Sequence, residues 1–180
     1  MKLEKTLVLV GLMGAGKSTI GRRLAKMLNV EFKDSDDEIS EAAGCSISDI
    51  FYIHGEDIFR DLEKRVMTRL ITDKKPKILA TGGGAWMHDE VRALTKRHAQ
   101  SLWLRADIPI LVERVSKKNT RPILEQGDKA AILTKMQRER APFYEQADLI
   151  IDSDNGDHEI VVKKIASLIG AAEEKRMQHS

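Results

Sequence analysis

Apolar runs of three to five residues alternate along this chain with longer stretches whose apolar positions recur every three or four residues. The short runs are Thr6–Val10, Val30–Phe32, Lys77–Ala80, Ser101–Leu104 and Leu149–Ile151. They are rich in branched side chains, as parallel strands covered on both faces are. Between them the spacing predicts helices at Ser18–Leu28, Asp36–Ala43, Ser46–Ile53, Glu56–Thr72, Asp89–Arg97, Asp107–Val115, Lys129–Tyr144 and His158–Leu168. In Ser18–Leu28, for instance, Ile20, Leu24, Met27 and Leu28 fall on one side. Ser46-x-x-Asp49 reads as a capping box, and Asp107 with Pro109 marks another helix start. The alternation predicts an α/β fold of three layers, α/β/α, around a five-stranded parallel sheet. Ligands of such sheets sit beyond the carboxyl ends of the strands. Residues 11–18, Asp34 and Gly82 all follow strand ends and should meet at one rim.

Segment 116–128, SKKNTRPILEQGD, breaks the pattern. It is polar, turn-rich and long for a connector in a compact domain. A basic loop near a phosphate site suits a lid, although a plain surface loop has the same composition. The tail from Ala171 reads as a fraying helix end.

Composition narrows the picture. The 180 residues suffice for one α/β domain, taken as 1–180, and 42% apolar with 32% charged residues fits a globular chain. A net charge of +2 demands neither nucleic acid nor a membrane surface, and 4% aromatics argues against base-stacking platforms. No window approaches a transmembrane span. The apolar start, Met1 to Met13, is broken by Gly11 and Gly14 and lacks a small-residue cleavage site, so it is not read as a signal peptide. The single cysteine, Cys45, excludes an internal disulfide and is read as a small buried apolar group. A cytoplasmic location is expected. The five histidines show no metal-ligand spacing.

The chemistry starts at Gly11–Ser18, GLMGAGKS, which fits G-x-x-x-x-G-K-[ST]. At average usage the four fixed places coincide by chance roughly 4 × 10⁻⁵ times per window, so the match carries information. Gly11, Gly14 and Gly16 allow a tight turn whose backbone N–H groups point inward as an anion nest, backed by a helix N-terminus. Lys17 supplies a mobile positive charge for the β- and γ-phosphates, and the Ser18 hydroxyl can ligate Mg²⁺.

A second set of residues follows in order. Asp34-Ser-Asp36 ends the second strand, and two acids at i and i+2 can project into one cleft; acids also simply suit a helix N-terminus. Arg60 lies on a helix with Ile58, Phe59 and Leu62, and could equally be a surface arginine paired with Glu56 or Glu63. Thr81-Gly82-Gly83-Gly84 lets backbone amides approach a ligand. Arg121-Pro122 and Arg138-Glu-Arg140-Ala-Pro142-Phe-Tyr144 supply guanidinium groups, which can grip a carboxylate or phosphate with two parallel bonds.

Taken together, GLMGAGKSTIGR, the DSD, the FR-x-x-E, the GGG, the RP-x-L and the R-x-P-x-Y order resemble the shikimate kinase family, from about Thr6 to Asp152. The first of these identifies only the P-loop NTPase superfamily; the ordered set is what makes the match specific. The resemblance implies ATP-dependent phosphorylation of the 3-hydroxyl of shikimate by a monomer whose partners are shikimate and ATP. It implies ATP binding by Gly14, Ala15, Gly16, Lys17, Ser18, Thr19, Arg114 and Arg121, with Lys17, Asp36 and Arg121 in catalysis. Shikimate would be held by Asp36, Arg60, Gly82, Gly83, Gly84 and Arg140, partly from a helical region at about 35–62. One Mg²⁺ would be held by Ser18 and, through water, by Asp34. Arg114 sits where the family often packs an arginine on adenine, with a partner near Asp154–Asn155. Lys33 stands where the family commonly has an apolar residue; a lysine there can reach solvent along its stem. A GTPase would show N-K-x-D, and Asn119 is followed instead by Thr-Arg.

Overall fold

Four residues with no exposed surface, Leu7–Val10, form the strand on which the rest is hung. This strand, β1, is flanked in parallel by β3 (Lys77–Ala80) and β4 (Gln100–Arg105), in register Leu7↔Ile78 and Leu7↔Gln100. The edges are β2 (Glu31–Asp34) and β5 (Leu149–Asp152), giving the order β2-β3-β1-β4-β5. The computed structural model describes residues 3–117, 128–153 and 157–177. Residues 118–127 of the segment expected to be a lid, Arg121 among them, therefore lie outside the described residues, as does the Asp154–Asn155 partner expected for Arg114.

All five expected strands form. The second does not stop at Phe32, as its apolar run suggests, but continues through Lys33 to Asp34. Backbone pairing with β3, Asp34↔Ala80, carries it there, and an edge strand tolerates half-buried charged side chains. The helices are α1 (Lys17–Leu28), α2 (Ser35–Ala43), α3 (Ile47–Thr72), α4 (Asp89–His98), α5 (Ile108–Ser116), α6 (Lys129–Tyr144) and α7 (His158–Met177). Helix α3 is two helical segments joined at Gly55 (φ 81°, ψ 175°), where the periodicity also breaks. Ser46 and Asp49 exchange both bonds of the capping box. A 3₁₀ turn at Ala85–Met87 has no counterpart in the apolar pattern. Cys45 is only half-buried, packed against the core's margin rather than inside it.

Handedness places the layers. The β1–β2 crossover runs toward one edge, whereas β3–β4 runs toward the other. Right-handed connections therefore put α1 on one face, where α7 packs against it, and α3 with α4 on the opposite face. The chain leaves neighbouring β1 and β3 toward opposite faces, which opens a crevice between the loops that follow them. No described helix is long and apolar enough to cross a membrane.

Lys33 does not lead its charge into open water. Its Nζ meets Glu38 Oε1 at 2.6 Å, and Glu38 Oε2 meets Arg69 Nη2 at 2.7 Å, which ties β2, α2 and α3 together. Burial works against the Glu38 charge, but the hydrogen bond and charge of Lys33, with Arg69, outweigh it and hold the carboxyl below its ordinary 4.5. Lower in the folded state means stability present above pH 4.5 and lost as pH falls through the folded value. Because both partners are substantially exposed, screening limits the effect to about 1–2 kcal/mol. Glu38→Gln is expected to lower urea stability at pH 7 by that amount and to flatten the acid limb of the stability curve. An acid limb identical to that of the parent chain would contradict the pairing.

Candidate active site

The loop after β1 is built by its glycines: Gly11, Gly14 and Gly16 take φ of 138°, 82° and 93°, values that side chains rarely allow. Gly16 is the N-cap of α1, so the positive end of that helix faces the loop. Lys17 is buried, and its Nζ donates to the carbonyls of Gly11 (2.7 Å) and Leu12 (2.9 Å). The ammonium is thereby held at the loop's mouth by neutral oxygens. Thr19 lies in the first turn of α1.

The loop after β2 abuts it. Ser18 Oγ donates to Asp34 Oδ2 at 2.6 Å, and Asp34 Oδ1 accepts from the Asp36 N–H at 3.1 Å, capping α2. One carboxylate therefore joins the first turn of α1 to the first turn of α2. Between the two acids Ser35 is wholly buried, and its Oγ accepts from the Gly82 N–H at 2.9 Å. Asp36 Oδ1 then lies 2.6 Å from the point where a Cβ on Gly82 would stand.

The loop after β3 closes the constellation. The Gly83 carbonyl accepts from Arg140 Nη1 (3.0 Å) and from Tyr144 Oη (2.7 Å), both on α6. Burial pushes the Tyr144 hydroxyl up to about 12, so it is a neutral donor at physiological pH. Trp86 Nε1 donates to the Phe143 carbonyl at 2.9 Å, a further tie between this loop and α6. A Cβ on Gly83 would lie 3.8 Å from the Met13 nitrogen and 3.9 Å from the Gly11 carbonyl oxygen. A single methyl group on the third loop would thus reach the first.

Arg60 fills the remaining side. A Cβ on Gly84 would collide with its guanidinium. The group is held by Glu63 Oε2 at 2.9 Å and by Glu56 Oε1 at 3.0 Å. Burial works against its charge, but Glu63 first and Glu56 second raise it above the ordinary arginine value. Glu63 is only 1% exposed, and its Oε2 also meets His88 Nε2 at 3.3 Å. The two alternatives open in the sequence hold at once: Arg60 pairs with both acids and also faces the glycine loop.

The fold therefore brings Lys17, Ser18, Asp34, Asp36, Arg60, Gly82, Gly83, Gly84 and Arg140 around one crevice. Arg114 stands at its flank, with Nη1 3.4 Å from the Gly14 carbonyl oxygen. Sequence reasoning passed over Ser35 and gave Glu63 no role beyond pairing. The Arg60-x-x-Glu63 spacing on a helix carries a signal for the second; a serine between two acids carries none for the first.

A phosphate cradle at the end of the central strand, opening beside two guanidinium groups and a carboxylate, defines a P-loop small-molecule kinase. The family described as shikimate kinase matches residues 13–170. A shikimate kinase of Caulobacter vibrioides is 46% identical over 168 residues, 93% of this chain and 84% of that one. The structure of a shikimate kinase from Acinetobacter baumannii in complex with shikimate superposes with a TM-score of 0.89 at 35% identity, covering 93% and 94% of the two chains. A gluconokinase from Sinorhizobium meliloti shares the fold at 13% identity, TM-score 0.66, over 100% of this chain and 99% of its own. The chain belongs to the shikimate kinase family.

Glu63→Ala would leave the inner side of the Arg60 guanidinium unpaired and is expected to cost about 2–3 kcal/mol in urea unfolding. Glu56, at the exposed end of the same guanidinium, should change stability by less than about 0.5 kcal/mol when replaced by Ala. Equal, small losses would show that Glu63 does not anchor Arg60.

Proposed function

We propose that this chain transfers the γ-phosphoryl group of ATP to the 3-hydroxyl of shikimate, giving shikimate 3-phosphate and ADP for aromatic amino-acid synthesis. The observation that carries the reading is the position of Gly83, whose carbonyl accepts from the Arg140 guanidinium while a Cβ added to it would meet the cradle backbone. A bound polyphosphate and a bound carboxylate would then share one crevice.

Shikimate carries a carboxylate and three hydroxyls on an otherwise apolar ring. Arg60, against Gly84, and Arg140, on the Gly83 carbonyl, supply fixed cations for the carboxylate. Asp36 accepts from the hydroxyl that attacks, and the backbone of Gly82 to Gly84 lies against the ring. Transfer passes through a loose transition state, so catalysis is mostly positioning and neutralisation of charge. The hydroxyl oxygen forms the new bond to phosphorus as the bond to the β-phosphate oxygen breaks, and the hydroxyl proton leaves toward Asp36. Asp36 acts chiefly by orienting the oxygen. Lys17 exchanges the Gly11 and Leu12 carbonyls for the phosphates, a short move on a flexible stem.

The Ser18 hydroxyl and the Asp34 carboxylate, 2.6 Å apart, form a hard oxygen pair suited to Mg²⁺ with its waters. Bound there with ATP, the ion would neutralise phosphate charge. Ser18 would meet it directly and Asp34 through water. Arg121, in the segment read as a lid, would meet the phosphates on closure, which excludes water. A cytoplasmic location agrees with the single cysteine.

A coupled assay tests the reading: ADP should form with shikimate, but not with gluconate or AMP. ADP release independent of shikimate would overturn it. Arg140→Ala is expected to raise the shikimate KM by about tenfold or more, the value of one charge-assisted pair, with the ATP KM unchanged. Lys17→Met should lower kcat by about 10²–10³. Arg121→Ala should lower turnover far more than shikimate affinity; equal effects on both would remove Arg121 from the lid role.

A further inference from the structure

Ser153 follows the last residue of β5 and is 1% exposed. Its backbone N–H donates to the Arg105 carbonyl at 2.6 Å, extending the parallel ladder by one bond. Its hydroxyl turns away from the sheet. Ser153 Oγ donates to the Ala15 carbonyl at 2.9 Å and accepts from Arg114 Nη1 at 3.1 Å. The same Nη1 stands 3.4 Å from the Gly14 carbonyl oxygen. One buried hydroxyl therefore joins the cradle loop, the end of β5 and the last turn of α5.

The bond to Ala15 fixes more than a carbonyl. The Ala15–Gly16 peptide is planar and trans, so its C=O and N–H point in opposite directions. Holding the oxygen outward against Ser153 aims the Gly16 N–H to the other side of the peptide, away from Ser153. The bond to Arg114 sets a guanidinium beside that same peptide. Arg114 also acts on His158, at the start of α7: burial first, then the charges of Arg23 and Arg114, push that imidazole toward its neutral form, against the opposing charge of Asp157.

We propose that Ser153 is a positioning residue of the nucleotide site, acting through the Ala15–Gly16 peptide and through Arg114. The proposal rests on reading the cradle as the ATP site. It assigns Ser153 to ATP and ADP recognition alone, because none of its partners belongs to the side of the crevice formed by Asp36, Arg60 and Arg140.

Calorimetric titration with ADP and steady-state kinetics test this on Ser153→Ala. The expected result is about tenfold weaker ADP binding and an ATP KM raised about tenfold, the value of one bond to a charged group. The shikimate KM should stay within twofold. A shared bond also implies coupling, so Ser153→Ala with Arg114→Ala should weaken ADP binding by less than the product of the single losses. Unchanged ADP affinity, parallel rises in both KM values, fully multiplicative losses, or a Ser153→Ala chain that does not fold would each overturn the assignment. If the parent chain binds ADP but shows no shikimate-dependent turnover, the reading of the acceptor site fails, while the ADP titration still decides the role of Ser153.

Discussion

Two neighbouring strands, β1 and β3, end side by side and send the chain to opposite faces of the sheet, and the site depends on that divergence. Both strands are wholly buried, so their register is fixed by packing on two faces as well as by the ladder Leu7↔Ile78 through Leu9↔Ala80. A one-residue slip would exchange the faces of every side chain in the core. It would also move the glycine loop by more than 3 Å relative to the cradle. The close approach of Gly83 to the backbone of Gly11 and Met13, with room between them for little more than a methyl group, is thus a consequence of core packing some distance below it. No long side chain is needed to hold the two halves of the site together.

Charge within the crevice is prepared in advance. Arg60 is set by a buried carboxylate, Lys17 by two carbonyls and Arg140 by the Gly83 carbonyl. These partners differ in kind. Lys17 and Arg140 are held by neutral oxygens, which an anionic ligand can displace or supplement at modest cost. Arg60 is held by ion pairs on both sides, to buried Glu63 through Nη1 and to exposed Glu56 through Nε and Nη2, and its Nη1 also faces Gly84.

The fold was legible because its signal is local. Each strand announces itself by a branched apolar run, and Gly55 and the Ser46–Asp49 box mark where helices break and begin. The crevice was legible where a motif marks the end of a strand, as with Lys17, Asp34 and Gly82, which the fold brings to one rim. It was not legible where a residue serves another residue. Ser35 receives one N–H from 47 residues away, and Ser153 donates to a carbonyl 138 residues away. Nothing in the neighbourhood of a serine foretells such a partner. The end of β2 was misjudged for a related reason: Lys33 and Asp34 are drawn into the strand by β3, and their own character argues against it.

The ordered motifs are more telling together than apart, and the geometry supplies the reason. Gly82 lacks a side chain where the Asp36 carboxylate stands 2.6 Å from the would-be Cβ and Glu63 Oε1 3.1 Å from it. Gly84 lacks one where the Arg60 guanidinium lies. The acids after β2, the arginine of α3 and the glycines after β3 are therefore one volume divided three ways. Enlarging any glycine displaces a charged group, and removing a charged group empties space the glycine was keeping. Two carboxylates crowd Gly82, and their mutual repulsion is offset because Glu63 is spent on Arg60 while Asp36 lies in the first turn of α2. Of the two, Glu63 is committed to Arg60 on α3, whereas Asp36 stands at the start of α2, between the strand end and the glycine loop. Three short motifs, unremarkable singly, constrain one another because they compete for the same few cubic ångströms.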